Sequence, residues 1–383
     1  MGWRGRGPIK LSLLLLGVNA VCFFALATEP IGDPLPMRQS PTAAYYTIFA
    51  AVDWVEFDQI RTGLDPGRIA LPPGSRDSPG DQEFIAWLYE HQRVIVDLDH
   101  ALTRSSVLLP PHCNDCEVFD RRDASVLRWM RSFSNLLTFD GQRCAAEEDW
   151  DGFAARIAMQ ARLSAMLLAQ DDHTLPWVGW AALERVDALL TSVLRQGYAH
   201  RFTPQGAAAI RNALASIDLE NPGRFRGRWR AMTEPRLRTF QRALDVADPV
   251  NAYAELVRNE LSIKAIFPDI PFEVTGLDDA RRFRDQTVAR AAALSRDDVL
   301  QGLARATDLT PRVADAIERN DAESMRAAVA DAERDPSAVV RLLWAIDPLL
   351  HHDFCERVES TARRAVETLD QILNSVNKDV PKR

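Results

Sequence analysis

Four cysteines follow the N-terminal segment of this 383-residue chain, and their spacing is compatible with several chemistries. Cys113 and Cys116 lie in a Pro-Pro-His-Cys-Asn-Asp-Cys loop, whereas Cys144 and Cys355 lie in helix-like sequence. In an oxidising compartment an even number of cysteines favours disulfide bonds. All four are therefore disulfide candidates, with three possible connectivities that the sequence cannot separate, and Cys113 or Cys116 could bridge to Cys144 across a helical hairpin.

Zinc, redox exchange and haem are the alternatives for the same loop. A zinc site would use His112, Cys113, Cys116 and a distant ligand such as Cys144, His351 or His352. A thioredoxin-type redox pair sits at a helix start after a strand, and no strand is expected here. Covalent haem requires histidine directly after the second cysteine, where the chain has Glu117. No bound cofactor is predicted.

A second polar cluster surrounds His351 and His352 near the C-terminus. His352 and Glu356 are four residues apart and therefore share one face of a helix, where they could hold a metal ion. The same spacing is typical of a solvated helix face. Because Leu350 and Phe354 occupy other angles of that helix, we favour the solvated face.

A basic stretch is the third candidate site. It contains Arg224, Arg226, Arg228, Arg230, Arg236, Arg238 and Arg242, interleaved with Phe225, Trp229 and Phe240. Such a face could bind an anionic partner, although an ordinary arginine-rich helix surface is favoured. The formal net charge of −8 argues against nucleic acid as the partner.

Metalloprotease, hydrolase and nucleotide-binding motifs are absent from the sequence, which leaves open whether the protein is an enzyme.

The elements that would position these residues are predicted to be helices. Apolar residues recur with a period near 3.6 and strand-like alternation is missing, so we predict an all-α fold of antiparallel helical hairpins in a bundle or short solenoid. A capping residue followed by proline predicts seven helix starts. They are Ser40-Pro41, Ser78-Pro79, Thr203-Pro204, Asn221-Pro222, Asp248-Pro249, Thr310-Pro311 and Asp335-Pro336.

Two further starts and one long helix complete the prediction. Ser295 with Asp298 and Asn320 with Glu323 resemble capping boxes. Apolar positions from residue 339 to residue 376 alternate by threes and fours, which predicts one long amphipathic helix, broken or kinked at Pro348.

The N-terminus has the pattern of a signal sequence. Three basic residues precede an apolar run from Leu11 to Ala27, and Ala25-Leu26-Ala27 offers a cleavage site. Residues 1–27 are thus a cleaved signal peptide or a membrane anchor, and the proline-rich residues 28–41 are a linker. We expect a front helical domain at 42–264, a back helical domain at 275–383, and both outside the cytoplasm.

The order of these features resembles a group of uncharacterised proteobacterial exported helical proteins. The resemblance rests on the anchor and spacer, Ala44-Tyr45-Tyr46, the Cys113 to Cys116 region, Leu136-Leu137, Asp149 to Gly152, and Leu183-Glu184-Arg185. It implies compartment and fold, with no established activity. We expect a non-catalytic scaffold or protein-interaction module of the cell envelope, with an envelope protein partner and membrane contact through the N-terminal segment. The alternative is an envelope enzyme with an unrecognised polar cleft.

Overall fold

The computed structural model describes most of the chain after residue 78. The described residues are 79–104, 121–170, 175–217, 223–246, 248–259, 286, 288–334, 339–340, 344 and 347–378. The predicted signal segment at 1–27, the linker at 28–41 and the loop with Cys113 and Cys116 lie outside them. No helix in the described ranges is long and apolar enough to cross a membrane.

The described part of the chain is helical and contains no strand, which confirms the all-α prediction. Besides helical residues at 288–292 and 339–340, the described part contains eleven α-helices and one short 3-10 helix with defined bounds. They are α1 (Pro79–Glu90), α2 (Gln92–Arg104), α3 (Arg121–Ala146), α4 (Trp150–Leu168), α5 (Leu175–Arg195), the 3-10 helix (Tyr198–Arg201), α6 (Pro204–Ala215), α7 (Gly223–Val246), α8 (Pro249–Asn259), α9 (Arg296–Glu318), α10 (Ala322–Glu333) and α11 (Pro348–Lys378).

Several predicted helix starts are confirmed by their caps. The Thr203 hydroxyl accepts a hydrogen bond from an amide in the first turn of α6 at 3.1 Å, and Asp248 does the same for α8. Ser295 and Asp298 form a complete capping box at the start of α9. These side chains satisfy amides that have no partner inside the helix, so the signal is local and visible in the sequence. The start predicted at Asn320 is displaced by one residue, because Asp321 is the cap of α10.

The predicted start at Thr310-Pro311 is wrong, because Pro311 lies inside α9. The apolar stripe of α9 continues through this point, with Leu309 and Val313 both buried. Thr310 is fully buried and its hydroxyl accepts a hydrogen bond from the Trp344 indole at 3.2 Å. Burial on both sides of Pro311 therefore holds the helix together despite the missing amide donor.

The long C-terminal helix is broken at Pro348, as predicted. Helix α11 begins there, and Asp347 accepts hydrogen bonds from the amides of Leu349 and Leu350 at 2.8 and 3.1 Å. Proline occupies the first helical position, where its missing donor costs nothing.

Among the residues that the structure describes, three groups of buried side chains form the core. One lies between α1, α2, α3 and α4, a second between α4, α5, α6 and α11, and a third between α7, α8, α9 and α10. Helix α4 takes part in the first two. Gly179 of α5 lets the backbones approach closely, because a Cβ there would lie 2.9 Å from both the Cβ of Leu167 and the amide nitrogen of Leu168.

Helix α11 links the second group to the third. Its apolar face packs with residues of α5 and α6, and it also contacts α7, α9 and α10. The predicted division between residues 264 and 275 falls outside the described residues and stays a prediction.

Candidate functional site

A buried polar junction joins α7, α11 and the turn after α9. It consists of Arg226, Asn320, His352 and Glu359, and we call it the α7–α11 junction. The Arg226 guanidinium donates two hydrogen bonds to the Glu359 carboxylate, each 3.1 Å, and a third to the Asn320 amide oxygen at 2.7 Å. The Arg226 side chain is only 3% exposed, so its charge depends on these partners.

The junction determines which nitrogen of His352 carries a proton. Arginine can only donate hydrogen bonds, so the oxygen of the Asn320 amide must face Arg226. The same oxygen lies 2.9 Å from Nε2 of His352. Nε2 must therefore be the donor in this contact, and its lone pair is not available.

This geometry bears on the metal site considered for His352 and Glu356. Among the described residues, His352, Asp353 and Glu356 lie close enough to share an ion, with Nε2 of His352 4.0 Å from Glu356 and Nδ1 3.9 Å from Asp353. The donor role of Nε2 removes that nitrogen as a ligand beside Glu356, and the nearby positive charge of Arg226 disfavours a cation at this position. The zinc ligands His112, Cys113 and Cys116 lie outside the described residues.

The solvated face predicted for the two histidines is wrong. His351 and His352 are 5% and 4% exposed, whereas Leu350 is 37% exposed. The side of α11 with the histidines packs toward α7 and the turn after α9. Asn320 has a φ of +57° and closes that turn, which brings its amide to His352. Helix periodicity cannot reveal such a contact, because the partner belongs to another element.

The basic stretch is largely engaged inside the chain. Arg230 pairs with Glu234, Asp315 and Glu318, and the hydrogen bonds to Glu318 in particular raise the pKa of this guanidinium. Trp229 is fully buried, with its ring 5.8 Å from that of Trp344 in an edge-to-face contact.

Another arginine of this stretch, Arg228, adds little surface for an anionic partner. Arg228 is 6% exposed, and the side chain of Arg224 lies outside the described residues. The face considered for an anionic partner is thus occupied by contacts within the chain at Arg226, Trp229 and Arg230.

Within the described part of the chain, Cys144 and Cys355 are free, buried thiols, and the two are not bonded to each other. Burial raises the pKa of Cys144 to about 11 and that of Cys355 to about 12. The Cys355 sulfur lies 3.5 Å from Nε2 of His351, but a thiol with so high a pKa is a poor nucleophile. The oxidised state predicted for Cys113 and Cys116 concerns residues outside the described ones.

A buried carboxylate on α3 was missed by the sequence analysis. Asp140 is 1% exposed and accepts hydrogen bonds from Arg143 at 2.8 Å and Arg156 at 2.5 Å. Arg143 also pairs with Glu147, which accepts a hydrogen bond from the Tyr89 hydroxyl at 2.9 Å. This network ties α1, α3 and α4 together. The i, i+3 spacing of Asp140 and Arg143 was the only signal available in the sequence.

A polar cleft between α5 and α11 is the second feature that the sequence analysis missed. It is lined by residues between 187 and 196, on α5 and directly after it, and by α11 residues between 364 and 371, and we call it the α5–α11 cleft. Its cavity volume is about 730 Å³. This lies within the range of roughly 300–1,000 Å³ that small-molecule sites occupy.

Comparisons with known proteins add no family to this picture. No protein family model, no curated protein and no solved structure matches the chain. The chemistry of the protein must therefore be inferred from its own residues.

Proposed function

We propose that this chain is a non-catalytic protein of the bacterial cell envelope, a scaffold or protein-interaction module. In this proposal residues 1–27 direct export to the periplasm or anchor the chain in the inner membrane. Residues 28–41 hold the helical part at a distance from the bilayer. A partner in the envelope then binds the outer faces of the helices, which we propose are arranged as antiparallel hairpins.

The α7–α11 junction is the observation that carries the proposal. Its arginine, carboxylate, amide and imidazole are bonded to one another, and they join helices from two parts of the core. Arg230 and Asp140 are likewise satisfied within the chain. Groups that could perform chemistry thus stabilise the packing of the helices instead. A scaffold with a fixed structure loses little conformational entropy when it binds a partner.

The test has a compartment arm and a partner arm. An export reporter fused after residue 41 should be active only outside the cytoplasm, and the mass of the mature chain should distinguish cleavage after Ala27 from an anchor. Chemical crosslinking in intact cells, followed by solubilisation, should return a stoichiometric complex with one envelope protein. A reporter active in the cytoplasm would end the proposal, and so would a chain recovered only as a monomer.

The α5–α11 cleft supports a second candidate function, an envelope enzyme that acts in this cleft. Two carboxylates and two guanidiniums line it, namely Asp187, Glu367, Arg195 and Arg364. The carboxylates could accept a proton, and the guanidiniums, which stay protonated, could hold an anionic substrate. The two functions differ in one measurement, because an enzyme would be recovered as a monomer that converts a small molecule, and Asp187→Asn would abolish that conversion.

A further inference from the structure

Helices α7 to α10 form a bundle with an apolar core of its own, and we call them the α7–α10 bundle. Trp229, Phe240 and Tyr253 of this bundle are at most 1% exposed and share a cluster with side chains of α9 and α10. Among the residues that the structure describes, α11 adds only the partly buried Leu349 to this cluster. The buried apolar residues farther along α11, beginning with Phe354, belong instead to the core formed with α4, α5 and α6.

The α7–α10 bundle meets the other described helices through α11. Helices α7, α9 and α10 each pack on α11, whereas no helix of the bundle packs extensively on α4, α5 or α6 within the described ranges. A group of helices with its own core and a single interface can separate from its neighbours without unfolding. The strength of that interface therefore decides whether the bundle opens.

The interface between the bundle and the first three turns of α11 is held by the polar α7–α11 junction. Arg226 donates hydrogen bonds to Glu359 and Asn320, and Nε2 of His352 donates to the same Asn320 oxygen. The attraction within a buried ion pair is largely offset by the loss of hydration, and water can bond all four groups again when they separate. Opening at this interface thus costs less than exposing an apolar core of similar area.

Cys355 lies where α7 covers α11. Its side chain is fully buried, and burial raises the pKa of its thiol. The guanidiniums of Arg226 and Arg228 lie close enough to act on that pKa in the opposite direction. Movement of α7 away from α11 would therefore expose the Cys355 sulfur to solvent. The surroundings of Cys144, which belongs to the core formed with α4, α5 and α6, would not change.

We propose that the α7–α10 bundle swings away from α11 as a unit, with the first turn of α11 as the pivot and the α7–α11 junction as the latch. Opening breaks the bonds of Arg226 and His352 and leaves both apolar cores intact. Leu349 stays with the bundle, so the movement is accommodated at the start of α11, a helix end at which backbone angles can change. The open form exposes a polar face of α11 that carries His352, Cys355 and Glu359. The closed form predominates, and the proposal holds whether the chain is a scaffold or an enzyme.

The first experiment compares the two buried thiols in the unmodified full-length chain, reduced with a phosphine and kept in a mild non-ionic detergent. Iodoacetamide labels the native chain, and peptide mass spectrometry gives a rate for Cys144 and for Cys355. Division by the rates in denaturing urea gives the protection of each thiol. We expect Cys355 to be at least about tenfold less protected than Cys144. Low concentrations of urea should accelerate Cys144 more steeply, because only global unfolding exposes a large surface.

The second experiment distinguishes opening of the bundle from unwinding of α11. If α11 unwound as far as Cys355, its backbone amides would exchange hydrogen as readily as the thiol reacts. If the bundle opens as a unit, the helical hydrogen bonds of α11 persist. We therefore expect the amides of residues 352–359 to be at least about tenfold more protected against exchange than the Cys355 thiol is against labelling.

The third experiment weakens the latch alone. Glu359→Gln replaces a charged acceptor of Arg226 by a neutral one and should accelerate the labelling of Cys355 about tenfold, with Cys144 unchanged. The matched control is Asp308→Asn, which weakens an exposed ion pair with Arg312 on α9 and should leave both rates unchanged. Circular dichroism checks that each variant is folded.

Three results would overturn the proposal. Equal protection of Cys144 and Cys355, with the same dependence on urea, would mean that both react only through global unfolding. Amides of α11 that exchange as readily as Cys355 reacts would mean that the helix unwinds. An unchanged rate at Cys355 in folded Glu359→Gln would mean that the junction is no latch. The first two comparisons use the unmodified chain, so they decide the matter even if Glu359→Gln fails to fold.

Discussion

Removal of the Glu359 carboxylate is the sharpest test of the α7–α11 junction. In Glu359→Ala the Arg226 guanidinium, 3% exposed, would lose both of its bonds to the carboxylate and keep only the contact with Asn320. Breaking a buried ion pair from one side costs 3–5 kcal/mol as a rule. Because Glu359 is itself 18% exposed and water can partly replace it, we expect the free energy of unfolding to fall by about 3 kcal/mol.

Equilibrium unfolding in urea, followed by circular dichroism at 222 nm, measures this loss. Glu359→Gln keeps an acceptor without the charge and should cost less, about 1–2 kcal/mol. The double variant Arg226→Met with Glu359→Leu removes both charges and should recover much of the loss. The control is Asp308→Ala, which breaks an exposed pair with Arg312 and should cost under about 0.5 kcal/mol. If Glu359→Ala costs no more than this control, the junction does not hold α7 and α11 together.

Three further predictions test the core. Burial raises the pKa of Cys355 from 9.0 to about 12. Between these pH values the thiol loses its proton in the unfolded chain but keeps it in the folded one, so the free energy of unfolding falls as pH rises. From pH 7 to pH 10 the unmodified chain in reductant should lose about 1.4 kcal/mol more than Cys355→Ala, and equal losses would contradict the shift. Native protein should label slowly with iodoacetamide at Cys144 and Cys355, and rapidly only after unfolding. Gly179→Ala should cost about 1–3 kcal/mol by forcing α4 and α5 apart. The control is Gly227→Ala, whose Cβ would lie 4.0 Å from Oε1 of Glu318, and this variant should instead gain about 0.5–1 kcal/mol in thermal or urea unfolding.

The helical content and several helix starts were predictable because their causes are local. The hydroxyl of Thr203 and the carboxylate of Asp248 cap amides only two or three residues away. Ser295 and Asp298 bond each other across one turn. Such interactions need no tertiary structure, and the sequence therefore contains all the information.

The helix start predicted at Thr310-Pro311 is wrong because local sequence patterns contain no information on burial. Proline after a possible cap normally begins a helix, but here burial on both sides of it stabilises a continuous helix more than the missing hydrogen bond destabilises it. The hydrogen bond from Trp344 to Thr310 joins residues 34 positions apart, and no pattern within the helix predicts it.

The sequence by itself determined that the described chain is helical, where several helices begin and that the C-terminal helical pattern is interrupted at Pro348. Only the tertiary structure decided that His351 and His352 are buried, that Arg226 and Arg230 are neutralised within the chain and that a polar cleft opens beside Asp187. The physical reason is the range of the interactions. Caps and apolar periods act within a few residues, whereas the partner of Arg226 is 133 residues away and that of Asp187 is 177 residues away. Helix packing alone determines which distant residues meet.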